Sequence, residues 1–370
     1  VRAFAGNDYP TVGVEQEFHL VDSVTGELVP CVDQVLENID ERMRDSLCYE
    51  LFHSVLEYKS AVCRTIDELR DDVISARRKL AQACEQVGVR LVAAGSHPFS
   101  DWHRQKVINN EHYQWVAHEC MYSAWRMIAF GLHVHVGMQS VESAMYAMYE
   151  MRRWVYPLLA LSANSPYFEG RATGMASTRT ILFGCMPRTL MPPEFENFAE
   201  LETYYEQLLM TGDVEAPGDL WWSIRPQPPL GTVELRVLDL PTDVRRLAAL
   251  AAITQAALAI YQDRFNSGTE PSRLNPAYIQ QNRWKAIRHG LDGKIIDPLT
   301  GEILEMREQV ERLLDMVNPK AKELGSLSHI DFAREMLEKG TESEWQVKKC
   351  EELGGDLQAL ELEIAKRTIL

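Results

Sequence analysis

The sequence predicts an α+β fold, an antiparallel sheet packed against helices. Three observations lead there. Short segments between Val12 and Leu238 alternate apolar and charged residues with the period of a strand. From Asp243 onward the apolar spacing is almost wholly helical. No repeat, low-complexity linker or shift in composition divides the chain, so residues 1–370 read as one domain.

The elements follow in order. Val12 to Leu20 reads as a strand, and the turn cluster Asp22-Ser-Val-Thr-Gly26 with a short strand through Val29 makes a hairpin. Leu51 to Val62 is a second extended stretch. Thr65 to Gly88 is an amphipathic helix: Ile66, Leu69, Val73, Leu80, Cys84 and Val87 recur at helical spacing, and Gly88 closes it. Val89 to Ala94 and Ile128 to Met138 are further strands, and Ser140 to Ala163 is one long apolar helix. Residues 164–197 are punctuated by Pro, Gly and Ser and far exceed an ordinary connection, which marks a functional loop. Leu220 to Ile224 and Thr232 to Leu238 pair around Pro226 to Gly231. A hairpin at Lys294 to Leu304, turned by Asp297-Pro-Leu-Thr-Gly301, interrupts the helical last third.

Composition narrows the function classes. An apolar share of 46% with 25% charged residues excludes a disordered chain, a collagen and a coiled coil. Thirty-eight basic residues against 54 acidic ones, a formal net charge of −16, argue against a nucleic-acid partner. The longest apolar stretch, Leu247 to Tyr261, is short and Ala-rich for a bilayer span, so no membrane partner is expected. Val1 to Pro10 lacks the order of a signal peptide, and the expected home is the cytoplasm. Seven scattered cysteines without a C-x-x-C point to reduced thiols.

The chemistry lies in strands that carry charge on one face. Alternation puts Glu15, Glu17 and His19 together, likewise His133 with His135, Glu234 with Arg236, and Glu57 with Lys59. One such strand is an ordinary wet sheet face. Four of them concentrate Glu and His, and if neighbouring they would gather like charges that only cations could relieve. Oxygen-rich ligation with an occasional imidazole suits Mg²⁺ or Mn²⁺ rather than zinc. Magnesium held this way keeps positions open for phosphate oxygens, which makes ATP a natural ligand. The chain has no Gly-rich phosphate loop of either common pattern. Arg171, Arg179, Arg225, Arg236, Arg283 and Arg288 are therefore the candidates to hold a triphosphate beside the metal. Arg236 stands out because it shares a face with Glu234, where it can neutralise phosphoryl charge.

Six motifs occur in order: Gly13-Val-Glu-Gln-Glu-Phe18, Gly131-Leu-His-Val-His-Val-Gly137, Ser162-Ala-Asn-Ser-Pro166, Trp222-Ser-Ile-Arg-Pro226, Gly231-Thr-Val-Glu-Leu-Arg-Val-Leu-Asp239 and Arg288-His-Gly-Leu-Asp-Gly293. Together they resemble the carboxylate–amine ligase family, the YbdK-like or type 2 glutamate–cysteine ligases, from Val12 to the end of the chain. The resemblance implies a glutamine synthetase/guanido kinase-type fold, with a curved antiparallel sheet forming a funnel and helices outside. It also implies a two-step reaction: ATP phosphorylates a carboxylate, with glutamate as the expected acid, and cysteine or another amine attacks the acyl phosphate. Carried over by position, Glu15, Glu17, Glu57, His133 and Glu234 resemble the metal ligands, with Glu57 and Arg236 as the catalytic pair. Arg179, Arg225 and Arg236 resemble phosphate contacts, and Lys59 is added as one. Arg171, Trp222 and His135 are assigned to the substrate. Lys59 departs from the family pattern, which has a small or apolar residue there, and Ser223 stands where an acidic residue is usual. Some kin form homodimers, which extends to this chain by analogy.

Two other readings compete. His133-x-His135 also fits a metal-dependent amide hydrolase, but few histidines follow to complete such a site. A non-catalytic ATP- or metal-binding homologue is the other, and the full set of Glu15, Glu17, His133, Glu234 and Arg236 weighs against it.

Overall fold

The computed structural model describes residues 4–369; the first three residues and the last of the expected 1–370 unit lie outside them. Strands β1 (Val12–Asp22), β2 (Leu47–Tyr49), β3 (Val55–Lys59), β4 (Val89–Val92), β5 (Gly131–Gly137), β8 (Ile224–Gln227) and β9 (Thr232–Asp239) form one sheet; β6 (Tyr167–Phe168) and β7 (Arg171–Ala172) form a separate hairpin. The order is β2-β3-β1-β5-β9-β8, with β4 on β1, and every pairing is antiparallel. β1 is long enough to meet β5 along its first half and β4 along its second, with β3 on its other edge.

The apolar positions of the alternation make the back of this sheet. Val12, Val14, Phe18, Leu132, Val134, Val136, Val233 and Leu235 are buried in the main core. Over them lie helices Ile66–Gln86, Val141–Met151 and Val244–Asn266, the last also packed on Met306–Glu323 and Leu327–Lys339. Helix Ile66–Gln86 begins at a capping box, Thr65 with Glu68, close to its expected start. Helix Val244–Asn266 extends well past the apolar run and has the length and apolarity to cross a bilayer, so shortness does not exclude a span. Of its most apolar window, 78% is buried by the surrounding helices, which accounts for the composition in a core helix.

Several boundaries differ from expectation for identifiable reasons. The strand after Asp22 reduces to a single bridge, Val21 to Leu28, on the edge of β1 that β3 leaves free beyond His19, while β4 takes the opposite edge. The stretch from Ser140 to Ala163 is two helices, Val141–Met151 and Val155–Ser162. Pro157 forces the break: without an N–H it fits the first turn of a new helix, and its ring would clash in the interior of a continuous one. The first strand of the pair around Pro226 moves forward by a few residues to β8, while the second stays at Thr232 as β9, the two joined through Pro228–Leu230. Pro226 is tolerated there because β8 is an edge strand. The hairpin after Lys294 forms as expected, as β10 (Lys294–Ile296) and β11 (Ile303–Glu305).

Candidate active site

The strand registers bring the charged residues together. Glu15 stands opposite His133 on β5 and Lys59 on β3, Glu17 opposite Glu57, and Glu234 opposite His135 on one side and Arg225 on the other. Between β5 and β9 the register slips: Leu132 pairs with Leu238 and Val134 with Leu235, leaving Arg236 and Val237 opposite His133 as a bulge. Arg179 braces that bulge, donating Nη1 to the Val237 carbonyl and Nη2 to the Arg236 carbonyl at 3.3 Å each. The absence of a side chain at Gly131 makes room for it, because a Cβ there would run into the Arg179 guanidinium and displace it.

These side chains line a cavity of about 500 Å³. Five carboxylates face it (Glu15, Glu17, Glu50, Glu57 and Glu234), with three permanent cations (Lys59, Arg225 and Arg236) and the imidazoles of His133 and His135. His133 stands in the middle. Its Nδ1 is 3.0 Å from Glu15 Oε2 and 3.8 Å from Glu234 Oε1, and its Nε2 is 3.4 Å from Glu17 Oε1. Two triads result, Glu15–His133–Glu234 and Glu17–Glu50–Glu57, in each of which the ligand atoms lie within 4.8 Å of one another.

The triads differ in charge. Burial pushes Glu15 and Glu234 up, yet their neighbours more than reverse it. His133 and His135 hold Glu15 well below the carboxylate range, and Arg225, Arg236 and His135 do the same for Glu234. In the second triad burial and like charge act together. Glu50 is raised well above its ordinary value by desolvation and by Glu57 and Glu17, and Glu57 is raised by desolvation and Glu15. Desolvation opposes the charged form of His135, but Glu234 and Glu15 carry its pKa upward.

The donor set fits a hard divalent cation. Carboxylate oxygens with one imidazole are the ligands of Mg²⁺ or Mn²⁺, and no cysteine belongs to either triad. If His133 donates its Nδ1 proton to Glu15, its Nε2 is left as a buried lone pair with no hydrogen-bond partner. The cavity carboxylates outnumber its permanent cations, so bound cations would relieve the second triad.

Not every expected residue reaches the cavity. Arg236 does, with Nη1 bonded to Glu234 and a buried Nε that has no partner. Lys59 does, its Nζ 3.0 Å from Glu57 Oε1 and 3.7 Å from Glu15 Oε1. His135 Nε2 lies 3.6 Å from Glu15 Oε1. Arg225 borders the cavity but is already engaged: Nε donates to Glu234 at 2.7 Å, and Nη1 to the Gly218 and Leu220 carbonyls at 2.7 Å. Arg179 lies beside Gly131 on the face of His133, holding the bulge, and is not among the lining residues. Arg171 sits on the β6–β7 hairpin with its side chain 74% exposed beside Glu169, also away from the lining. Trp222 turns away into a cluster with Phe195 and Tyr204, and its neighbour Trp221 lines the cavity instead. In the long loop, Asn164 N, Ser165 Oγ and Ser177 Oγ donate to the Asp239 carboxylate at 2.6–2.8 Å, so this motif anchors the loop to β9.

Sequence reasoning missed Glu50 and Gln227. Gln227 Nε2 donates to Glu234 Oε2 at 2.6 Å. Glu50 follows Cys48 by two residues, and Cys48 pairs with Glu57, so the same alternation places it on the cavity side. Glu50 lies one residue past β2, and that strand has only three residues, too few for the pattern to show.

The sequence profile of glutamate–cysteine ligase family 2 matches residues 11–363. A protein of Herpetosiphon aurantiacus is 34% identical over 359 residues, covering 97% of this chain and 93% of its own. One of Chloroflexus aurantiacus is 36% identical over 351 residues, covering 95% and 90%. Both carry the provisional name glutamate–cysteine ligase 2. Among solved structures, the glutamate–cysteine ligase of Francisella tularensis in complex with AMP is similar, with a TM-score of 0.74 at 11% identity, over 99% of this chain and 89% of that one. A bifunctional glutathione synthetase from Pasteurella multocida gives 0.64 at 13% identity, over 97% and 52%. At such identities the solved structures show the fold.

Proposed function

We propose that this chain, which belongs to glutamate–cysteine ligase family 2, activates a carboxylate with ATP and joins it to an amine. Glutamate is the proposed acid. The acid's carboxylate oxygen takes the γ-phosphoryl group and ADP leaves. The amine nitrogen then bonds to the acyl carbon, the C–O bond to phosphate breaks, and the amine's proton departs with the phosphate.

The observation that carries this reading is the pair of carboxylate triads joined through His133 in one cavity. Glu15, His133 and Glu234 would hold one divalent ion, and Glu17, Glu50 and Glu57 another. Such ions supply the positive charge that phosphate oxygens need beside so many carboxylates. Arg236 has its unpartnered Nε buried next to that centre, where it can take up charge on a transferring phosphoryl group. Arg225 holds Glu234 in place and ties the 218–220 turn to it. Lys59, half-exposed at the rim, balances Glu57 and offers the remaining cation to an incoming anion.

Purified protein given ATP, Mg²⁺ and a panel of acids and amines should release ADP only when an acid and an amine are both present. Phosphate release from ATP alone, or amide cleavage without ATP, would overturn the reading.

A further inference from the structure

We infer that Arg188 receives the carboxylate of an amino-acid acceptor and so tells an amino acid from a plain amine. This rests on the ligase reading above and names the anchor of its second substrate. The cavity has two unlike ends. Beyond Glu17 and Glu57 the same sheet face turns apolar, because the next position along β3 is Val55, two residues before Glu57. Val55, Met127, Met186 and Trp221 line this end and belong to or pack on one hydrophobic cluster. Arg188 stands beside it: its Cζ lies 5.4 Å from the centroid of the Trp221 ring, and Met186 is two residues earlier in the chain. Its Nε donates to the Asp219 carbonyl at 3.2 Å, while Arg225 Nη1 takes the carbonyls of Gly218 and Leu220 on either side. Two arginines thus hold one turn, and Arg225 ties that turn to Glu234.

Arg188 differs from the other cations here in having no anion of its own. Lys59, Arg225 and Arg236 each pair with a cavity carboxylate. Among the described residues no carboxylate pairs with Arg188, and its Nη2 is buried without a hydrogen-bond partner. The Asp219 carboxylate is taken by the Glu215 and Ala216 N–H groups, and the His112 ring is turned toward Glu215 and Asp219. In the ligase reading the bound divalent ions, Arg236 and Lys59 answer the phosphates and the acid. An amino-acid acceptor adds one more carboxylate, and a buried carboxylate needs a cation and hydrogen-bond donors. A guanidinium supplies both, and a donor left unpaired in the fold gains its partner. A carboxylate seated against Trp221 meets Arg188. The acceptor's amino group is then directed toward the carboxylate-rich end, where the acyl phosphate forms, and its side chain lies along Met127 and Met186.

The test uses the full chain with ATP, Mg²⁺ and glutamate. Hydroxylamine first traps the acyl phosphate as a hydroxamate, which reports activation of the acid whatever the natural acceptor is. Two matched pairs then serve as acceptors, cysteine against cysteamine and phenylalanine against 2-phenylethylamine, each pair differing by one carboxylate. The wild type should prefer the amino acid of the better pair. Arg188→Gln should raise the KM of that amino acid, relative to its carboxylate-free twin, by about tenfold or more, the scale of one hydrogen bond to a charged group. Arg188→Lys keeps the charge and loses the planar fork, so it should show a smaller rise of the same sign, a readout that survives if the Gln variant does not fold. Hydroxamate formation with the plain amines preferred by the wild type would overturn the inference and leave the ligase reading standing. So would a ratio that neither variant changes, or a larger rise in the KM of ATP or glutamate than in that of the amino acid. Absence of hydroxamate would remove the ligase reading and the inference with it.

Discussion

Strand β1 carries charge into two unlike surroundings within five residues. Glu15 and Glu17 open onto the cavity. His19, two residues further on the same face, is sealed: its Nε2 lies 2.6 Å from Glu361 Oε1, and both side chains are fully buried. Its ring stacks on Phe130 and stands edge-on to His97, which bonds the Gly26 carbonyl at 2.8 Å. The two clusters solve the cost of buried charge in opposite ways. The sealed one sheds its charge, since burial pushes His19 down to about 3 and Glu361 up to about 7. In the cavity Glu15 and Glu234 keep their charge, paired with His133, His135, Arg225 and Arg236 and open to a ligand. Burial alone therefore does not mark a functional carboxylate; access does.

The largest expected effect separates the two clusters by activity. Glu234→Gln or Glu15→Gln should lower acid- and amine-dependent ADP release at least ~100-fold, the scale of a lost charge stabiliser. On the same strand, His19→Gln should leave the rate per folded molecule within about threefold, since no ligand reaches it. Equal losses at Glu15 and His19 would erase the distinction.

Next in size is the response to metal. An ion binding only the folded protein stabilises it by about 2.7 kcal/mol at a hundredfold excess over its Kd. Mn²⁺ or Mg²⁺ should thus raise the melting temperature of the wild type and of Glu361→Gln, while Glu57→Gln should lose most of that rise. A smaller effect is expected at Lys59, whose ammonium competes with a metal ion for Glu57 and Glu15. Its side chain is 45% exposed, so solvent screens the pairing to about 1 kcal/mol or less. Lys59→Met should tighten nucleotide-free Mn²⁺ binding several-fold by calorimetry; weaker binding would show that Lys59 organises the carboxylates instead.

Much of this was legible in the sequence because a strand's period is short and strict. Alternation at Glu15/Glu17, His133/His135 and Glu234/Arg236 gave the face, and antiparallel pairing gave the rest. Alternation could not show that helix Leu357–Thr368 closes one end of that face with Glu361, hundreds of residues from His19. Nor could it show the bulge opposite His133, which depends on the partner strand. Arg171 and Arg179 were drawn to the site from the long loop and Trp222 by its motif, yet loops obey no period, and one residue's offset sends Trp222 out and Trp221 in. Glu50 lies where a strand is too short to announce itself.

The last effect tests how the sealed cluster stays neutral, and its sign follows from three shifts. In the unfolded chain the imidazoles titrate near 6.5 and the carboxyl near 4.5; in the fold His19 titrates at about 3, His97 at about 4 and Glu361 at about 7. The histidines' folded values are depressed, so below about pH 6.5 the unfolded state takes up their protons first and stability falls with pH. Glu361 is raised, so between about 4.5 and 7 the folded state holds the extra proton and stability rises as pH falls. Two imidazoles against one carboxyl leave a net loss of about one proton, near 1.4 kcal/mol per pH unit around pH 5.5. Glu361→Gln removes the opposing group, so the fall in stability from pH 6.5 to 5 should become about twice as steep as in the wild type. Urea midpoints across that range measure it, with carboxylates elsewhere contributing equally to both proteins. Parallel profiles would mean that His19 and His97 take up protons inside the fold, and the sealed cluster would then carry charge as the cavity does.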